Sequence, residues 1–162
     1  MFELERVRAD HEAAILDFEV ANRAYFTQSI NDRGDEFFER YSDEHRTLLV
    51  EQATGAFAFH VLVDDGGAVV GRFNLFDIAD GTAVVGYRVA REVAGQGVAT
   101  AVLRRLCQMA RDDYGLLKLR AATSNDNRAS QRVLEKVGFL VDGPTEVGGR
   151  DGVWYELDLT DD

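Results

Sequence analysis

Val84-Val85-Gly86-Tyr87-Arg88-Val89-Ala90-Arg91-Glu92-Val93-Ala94-Gly95-Gln96-Gly97-Val98-Ala99-Thr100 changes its period part-way along. Val84 to Val89 is an apolar, strand-like run, and from Val98 onward apolar residues recur at helical spacing. That helix is expected to turn Ala101, Val102, Leu106, Met109 and Ala110 inward and Arg104, Arg105, Arg111 and Asp112 outward. Gly95 and Gly97 stand at its entrance. Glycines there leave backbone N–H groups unshielded at the positive end of the helix dipole, a site for a phosphate-bearing ligand. By itself G-x-G decides little, because a dinucleotide turn or plain close packing produces it too. A dinucleotide fold would need a third glycine where Thr100 stands, and a P-loop would need Gly-Lys-Ser/Thr.

Upstream of this stretch, Phe2 to Arg8 reads as a first strand, and Asp10 as the N-cap of a helix running to Asn22. Arg23-Ala24-Tyr25-Phe26 reads as an irregular aromatic loop, either a substrate wall or core packing. Asn31 to Asp35 is a polar break capping a second helix that carries Phe37, Phe38, Tyr41, Leu48 and Leu49 and stops before Gly55. Two helices are thus expected before the second strand. Ala56 to Asp64, Ala68 to Asp77 and Thr82 to Val89 form an antiparallel meander through turns at Asp65-Gly66-Gly67 and Ala79-Asp80-Gly81.

Downstream, Leu116 to Ala122 follows the helix as a strand, parallel to Thr82–Val89 through a right-handed crossover. Thr123 to Asn127 caps a helix from Arg128 to Val137, ended by Gly138. Phe139 to Asp142 and Val153 to Leu159 supply the last strands, with Pro144 and Gly148-Gly149 at turns. The expectation is one mixed α/β domain over residues 1–162.

With 46% hydrophobic and 29% charged residues, the composition is that of a soluble globular protein. Met1 to Arg6 carries charge where a signal peptide would be apolar, and no run is long enough to span a bilayer. The single cysteine, Cys107, excludes an internal disulfide, reads as a packing residue and fits a reducing cytoplasm. No cluster has metal-ligand spacing, so no metal is expected. A net charge of −11 argues against nucleic acid or an anionic membrane as partner. It could draw in a cationic substrate, or simply keep the protein soluble.

Asn127-Arg128-Ala129-Ser130-Gln131-Arg132-Val133-Leu134-Glu135-Lys136-Val137-Gly138-Phe139, together with Gly86-Tyr87 and the glycine loop, resembles the GNAT superfamily of N-acetyltransferases. Within it the resemblance is to the ribosomal-protein N-terminal acetyltransferase (RimJ/RimL-like) branch. It implies a GNAT-like α/β fold: a mostly antiparallel seven-stranded mixed sheet, about four helices, and strands four and five splayed apart. It also implies acetyl-CoA as acyl donor and direct transfer to a primary amine, in a monomer or homodimer. The family's Q/R-x-x-G-x-G/A loop falls on Ala94, Gly95, Gln96, Gly97, Val98 and Ala99, followed by Thr100, whose amides would take the pyrophosphate. Ala94 departs from the usual Arg or Gln, which loses a side-chain contact but not the amide cradle. Tyr87 and Val89 match the strand end that pairs with pantetheine. Asn127 matches a side-chain contact to the same arm, and it equally reads as a helix N-cap.

Two further departures bear on mechanism. Leu134 stands where many relatives carry a tyrosine acid, and Val84 where many carry a glutamate. Ser130, in the branch's N-x-x-S pattern, is the remaining candidate donor to the departing thiolate, against a structural helix serine. The Val89 backbone N–H would stabilise the oxyanion. An α-amine, with a pKa of ~7.7–8.0, is ~10–20% neutral at pH 7, whereas lysine at ~10.4 is almost wholly charged. The arithmetic favours a protein or peptide N-terminus, with Glu51, His60, Asn74, Asp77 or Tyr87 to relay a proton, though each also reads as structural. The acceptor cavity is expected from Arg23–Asp35 and neighbouring strands. Rival readings are a small-amine acetyltransferase of antibiotic or polyamine type, and a non-catalytic acyl-CoA-binding domain.

Overall fold

β-Branched and apolar runs punctuated by glycine turns produce seven strands in the computed structural model, which describes residues 1–160. These are β1 (Glu3–Arg6), β2 (Ala58–Val63), β3 (Val69–Ala79), β4 (Thr82–Val89), β5 (Lys118–Ser124), β6 (Leu140–Val147) and β7 (Arg150–Asp158). They form a sheet in the order β1-β2-β3-β4-β5-β7-β6. β4 and β5 are parallel but pair only at Thr82–Lys118, Ala83–Leu119 and Val84–Arg120. By contrast, β5 and β7 pair antiparallel along the whole of β5, from Lys118–Asp158 to Ser124–Gly152. A short parallel ladder beside a full antiparallel one is the strand pattern expected of the splayed pair.

The chain divides into two compact units. One comprises Met1–Asn74 with Tyr87–Ala94; the other comprises Leu75–Gly86 and the described residues from Gly95 onward. β3 and β4 each pass from one unit into the other. In the first, Ile15, Phe18, Leu48, Val61, Leu62 and Phe73 are buried. In the second, Leu75, Leu103, Leu106, Leu119, Leu134 and Phe139 play that part, each worth roughly 1.5–3 kcal/mol of transfer free energy.

Between β1 and β2 the helical region is more broken than its sequence suggests. A 3-10 turn at Ala9–His11 precedes α1 (Glu12–Ala21), α2 (Arg23–Phe26), α3 (Asp35–Glu39) and α4 (Tyr41–Ala53). Asp10 does not cap. It pairs with Arg8 at 3.1 Å, and the Arg8 backbone N–H is taken by His11 Nδ1 instead. The expected loop Arg23–Phe26 is a helical turn, held by Phe26 N–H donating to the Asn22 carbonyl and by the Phe18 and Phe26 rings 5.4 Å apart. The single helix expected through Phe37 and Leu49 breaks at Arg40 (φ −116°, ψ 30°). Just past the break Tyr41 is buried, its hydroxyl 3.2 Å from His45 Nδ1, while His45 Nε2 lies 3.0 Å from the Arg8 carbonyl.

The remaining helices are α5 (Val98–Asp112) and α6 (Arg128–Val137). The buried stripe of α5 is Leu103, Leu106, Cys107 and Ala110, so Ala101, expected inward, is exposed and Leu103 takes its place. The stripe starting at Leu103 follows i, i+3, i+4, i+7, a face that shares Leu106 and Ala110 with the expected one. α6 ends at Gly138, whose φ of +113° only glycine adopts readily. Pro144 lies within β6 rather than at a turn. The β6–β7 register is interrupted between Val141 and Pro144, and β6 is an edge strand, the setting in which a residue without an N–H is tolerated.

Gly152 of β7 is a close backbone approach: a Cβ there would sit 2.6 Å from the Thr123 carbonyl oxygen. Gly152→Ala must therefore push β7 off β5, at a cost of about 1–3 kcal/mol. Thermal unfolding should shift down by roughly 3–10 °C. An unchanged midpoint would mean that the strands separate freely.

Candidate active site

The glycine loop lies at the start of α5. Gly95 and Gly97 have φ of +76° and +78°, and a Cβ at either would meet nothing within 4 Å. They are glycines for backbone direction, not for want of room. No side chain caps α5 at Gly97, and no acidic residue occupies its first turn. The first-turn amides of Val98, Ala99 and Thr100 thus keep their donor capacity for an outside acceptor. Ala94 is extended (φ −66°, ψ 145°), turning the chain into the loop.

In the same unit, Asn127 caps α6 by accepting the Ser130 N–H on Oδ1 at 3.2 Å, which leaves its Nδ2 donors for another partner. Ser130 is half-buried in the first turn of α6. Gln131 Nε2 donates to the Ser124 and Asn125 carbonyls at 3.1 Å each, tying α6 to the end of β5. The Arg104 guanidinium donates to the Lys136 carbonyl at 2.9 Å, joining α5 to α6. Leu134, in the position a tyrosine would take, is buried and apolar. Thr123 Oγ1, near the end of β5, is buried with no hydrogen-bond partner among the described residues. A cradle of bare amides, an unspent amide donor and an orphaned hydroxyl fit a long ligand with a phosphate at one end.

In the other unit, the end of β4 is fixed by α1. Glu19, 1% exposed, accepts from Arg72 Nη1 at 2.7 Å and from Arg88 Nη1 at 3.2 Å, with Arg33 Nε at 3.8 Å. At the C-cap of α1, Asn22 Oδ1 accepts the Arg91 backbone N–H at 3.0 Å. Tyr87 stacks on Phe73, with centroids 5.4 Å apart and planes 5° from parallel. Tyr87 and Val89 are half-buried, and Ala90 N–H donates to the Val70 carbonyl at 2.8 Å. The strand end that carries Val89 is thus held by side chains and by backbone.

Beside this cluster lies a shallow, open recess lined by Glu19, Arg23, Phe26, Ile30, Arg33 and Arg88 among others. It draws on the Arg23–Asp35 segment expected to build the acceptor cavity. Arg23 there is neutralised by Asp32 at 2.7 Å and Asp35 at 2.8 Å, and its hydrogen bond to Asp32 holds that carboxyl at about 2. Sequence reasoning missed Glu19, Arg72 and Arg88. The signal was present: Glu19 sits in the stripe Ile15, Phe18, Glu19, Asn22, and Arg72 interrupts an apolar strand.

The relay candidates divide. His60 is fully buried, with Nδ1 3.0 Å from the Phe73 carbonyl, and burial pushes it down to about 4. It is a neutral core histidine. Asn74 Oδ1 accepts the His60 N–H at 3.4 Å. Asp77 takes a positive φ of +54°, and Glu51 is half-buried on α4. Burial pushes the Cys107 thiol up to about 12, in keeping with packing. Among the described residues no group of three or more His, Cys, Asp or Glu could hold a metal, and no helix is long and apolar enough to cross a membrane.

The model of the acetyltransferase (GNAT) domain matches residues 2–140. The chain belongs to the GNAT family of acetyltransferases. It is 28% identical over 150 residues to the Bacillus subtilis (strain 168) protein named "Probable N-acetyltransferase YjcK", covering 87% of this chain and 82% of that one. The fold superposes on the ribosomal-protein-S5-alanine acetyltransferase of Vibrio fischeri with a TM-score of 0.90 at 19% identity, over 99% of this chain and 94% of that one. It also superposes on the spermidine N-acetyltransferase of Vibrio cholerae in complex with CoA and spermine. There the TM-score is 0.82 at 17% identity, over 98% and 96% of the two chains. This GNAT chain is thus an N-acetyltransferase whose fold is shared by enzymes of quite different acceptors.

His60 gives a pH test. Its folded value of about 4 lies below the unfolded ~6.5, so the unfolded state binds the extra proton. Its contribution is complete above pH ~6.5 and is lost as pH falls toward 4, by a few kcal/mol at most. Urea unfolding between pH 7 and 4 should show this decline, and His60→Gln should flatten part of it. Parallel curves would place the acid sensitivity elsewhere.

Proposed function

We propose that this GNAT enzyme transfers acetyl from acetyl-CoA to the α-amine of a protein or peptide. The observation that carries the reading is the uncapped start of α5 behind two positive-φ glycines, with open space where side chains would be. Gly95, Gln96, Gly97, Val98, Ala99 and Thr100 would hold the pyrophosphate through their amides, without Ala94, whose N–H donates to the Ala90 and Arg91 carbonyls at 3.2 Å each. Asn127 Nδ2 and the end of β4 at Tyr87 and Val89 would position the pantetheine arm, in the manner of strand addition. When bound, acetyl-CoA supplies a thioester carbonyl open to attack by a neutral amine.

The chain's own residues then do three things. They hold amine and donor together, which replaces a bimolecular encounter and supplies much of the rate. The Val89 N–H, on a strand end kept in place by the Glu19 cluster, donates to the developing oxyanion. Ser130 donates a proton to the departing sulfur, the role that Leu134 cannot fill. His60, buried and uncharged near neutrality, is a poor relay, and its absence from the chemistry agrees with an acceptor that is already partly neutral. The likeness to a spermidine enzyme favours, as a second reading, a small polyamine acceptor. The single buried Cys107 needs no oxidising compartment, which supports a cytoplasmic site of action.

Gly97→Ala forces a Cβ onto a left-handed residue, at about 1–2 kcal/mol of strain. Calorimetry should show CoA binding at least tenfold weaker with only a small loss of thermal stability. Binding equal to wild type would remove the loop from the site. Ser130→Ala should lower turnover about tenfold or more at unchanged KM for acetyl-CoA, read by thiol release. Full turnover would strike Ser130 from the mechanism.

A further inference from the structure

Glu19 has both carboxylate oxygens engaged deep in the first unit, so it cannot itself receive a substrate amine. Around it donors are in surplus. Three guanidiniums, those of Arg33, Arg72 and Arg88, surround one carboxylate, leaving two positive charges in excess. The adjoining group of Arg23 with Asp32 and Asp35 carries one net negative charge, and the recess as a whole remains at plus one. Donor capacity tells the same story. Three guanidiniums offer fifteen N–H groups, while one carboxylate accepts about four hydrogen bonds. Arg72 Nε, in a side chain 7% exposed, finds no partner among the described residues.

Position matters as much as count. The Arg88 and Arg33 side chains are 23% and 35% exposed and line the recess, whereas Arg72 is closed off behind Glu19. Phe26 and Phe37 lie under these cations, with Arg88 5.0 Å from the Phe26 ring centre and Arg33 4.7 Å from that of Phe37. Burial, and after it the charge of Arg33, pushes Arg88 down to about 10. Burial also lowers Arg33, with Glu19 opposing and Arg72 adding to the effect. A half-buried pair of guanidiniums resting on aromatic faces is a carboxylate-binding arrangement. Arg88 immediately precedes Val89, so an anion held there is held at the strand end where the acetyl group would be presented.

We infer that the acceptor carries a carboxylate close to its reacting amine, and that Arg33 and Arg88 bind it. This rests on the reading of the enzyme as an amine acetyltransferase and names its substrate class. The carboxylate has two sources: an Asp or Glu side chain near a peptide N-terminus, or the α-carboxylate of a free amino acid. A polyamine brings positive charge only, and the cluster would repel it.

The test is acetyl transfer with purified full-length enzyme and acetyl-CoA across matched acceptors. One arm uses C-terminally amidated peptides differing only as Asp against Asn, or Glu against Gln, at the second or third residue. The other uses free amino acids beside their amides, and spermidine serves as the cationic comparison. The expected result is kcat/KM at least tenfold higher for the carboxylate member of a pair, the preferred arm identifying the source. In Arg33→Gln that ratio should fall toward one, and Arg33→Lys should restore part of it. Equal rates within every pair, or a preference for spermidine, overturn the carboxylate assignment while leaving the acetyltransferase reading intact. CoA binding without transfer to any acceptor overturns both. Should Arg33→Gln fail to fold, the paired acceptors with wild-type enzyme still decide the matter.

Discussion

A carboxylate with almost no exposure is held between two arginines from neighbouring strands, and that contact decides where the end of β4 can lie. Glu19 reaches from α1 to Arg72 on β3 and Arg88 on β4, and Asn22 secures the Arg91 amide just beyond. Burying such a set gains little net stability over a hydrophobic cluster of similar volume, because desolvation consumes most of the Coulombic attraction. Removing one partner is another matter, since it strands the opposite charge. The arrangement therefore acts less as glue than as a locator. It admits one position for α1 against the strands and penalises its neighbours.

The glycine loop follows the opposite logic. Around Glu19 the arginines converge on one buried carboxylate, while at the start of α5 backbone polar groups are left open. Neither would be tolerated without compensation in a core. The loop escapes the penalty because Gly95, Gln96 and Gly97 are exposed, where solvent can reach backbone groups. Rigidity comes from behind, through the α5 stripe of Leu103, Leu106 and Ala110 and through the Arg104 bond to α6.

How much of this was legible in the sequence depended on whether the controlling contact was local. Asn127 three residues before Ser130, and Gly138 after Val137, announce α6 because caps act within one turn, and α6 has the expected ends. The hairpin at Asp80-Gly81 and the change of period at Val98 were readable for the same reason. The broken helices before β2 were not. Arg23–Phe26 becomes helical through the packing of Phe26 on Phe18, and the break at Arg40 coincides with burial of Tyr41 beside His45. Those are tertiary effects that outweigh propensity. The Glu19 cluster joins residues 53 and 69 positions apart, so only the oddity of a carboxylate in an apolar stripe hinted at it.

Net charge misleads for a related reason. At −11 the whole chain attracts cations at a distance, yet the recess next to the β4 strand end is positive. At physiological ionic strength, exposed charges are screened over about 8 Å, whereas buried pairs are screened much less. The many surface carboxylates therefore govern solubility and the distant field, and a bound acceptor feels chiefly Arg33, Arg88 and the aromatic rings beneath them. An anionic acceptor would approach against a weak, salt-damped repulsion and be held by a strong local attraction. That combination taxes the on-rate modestly and rewards only ligands that bring their carboxylate to the recess, which is how a site gains selectivity from a field of the wrong overall sign.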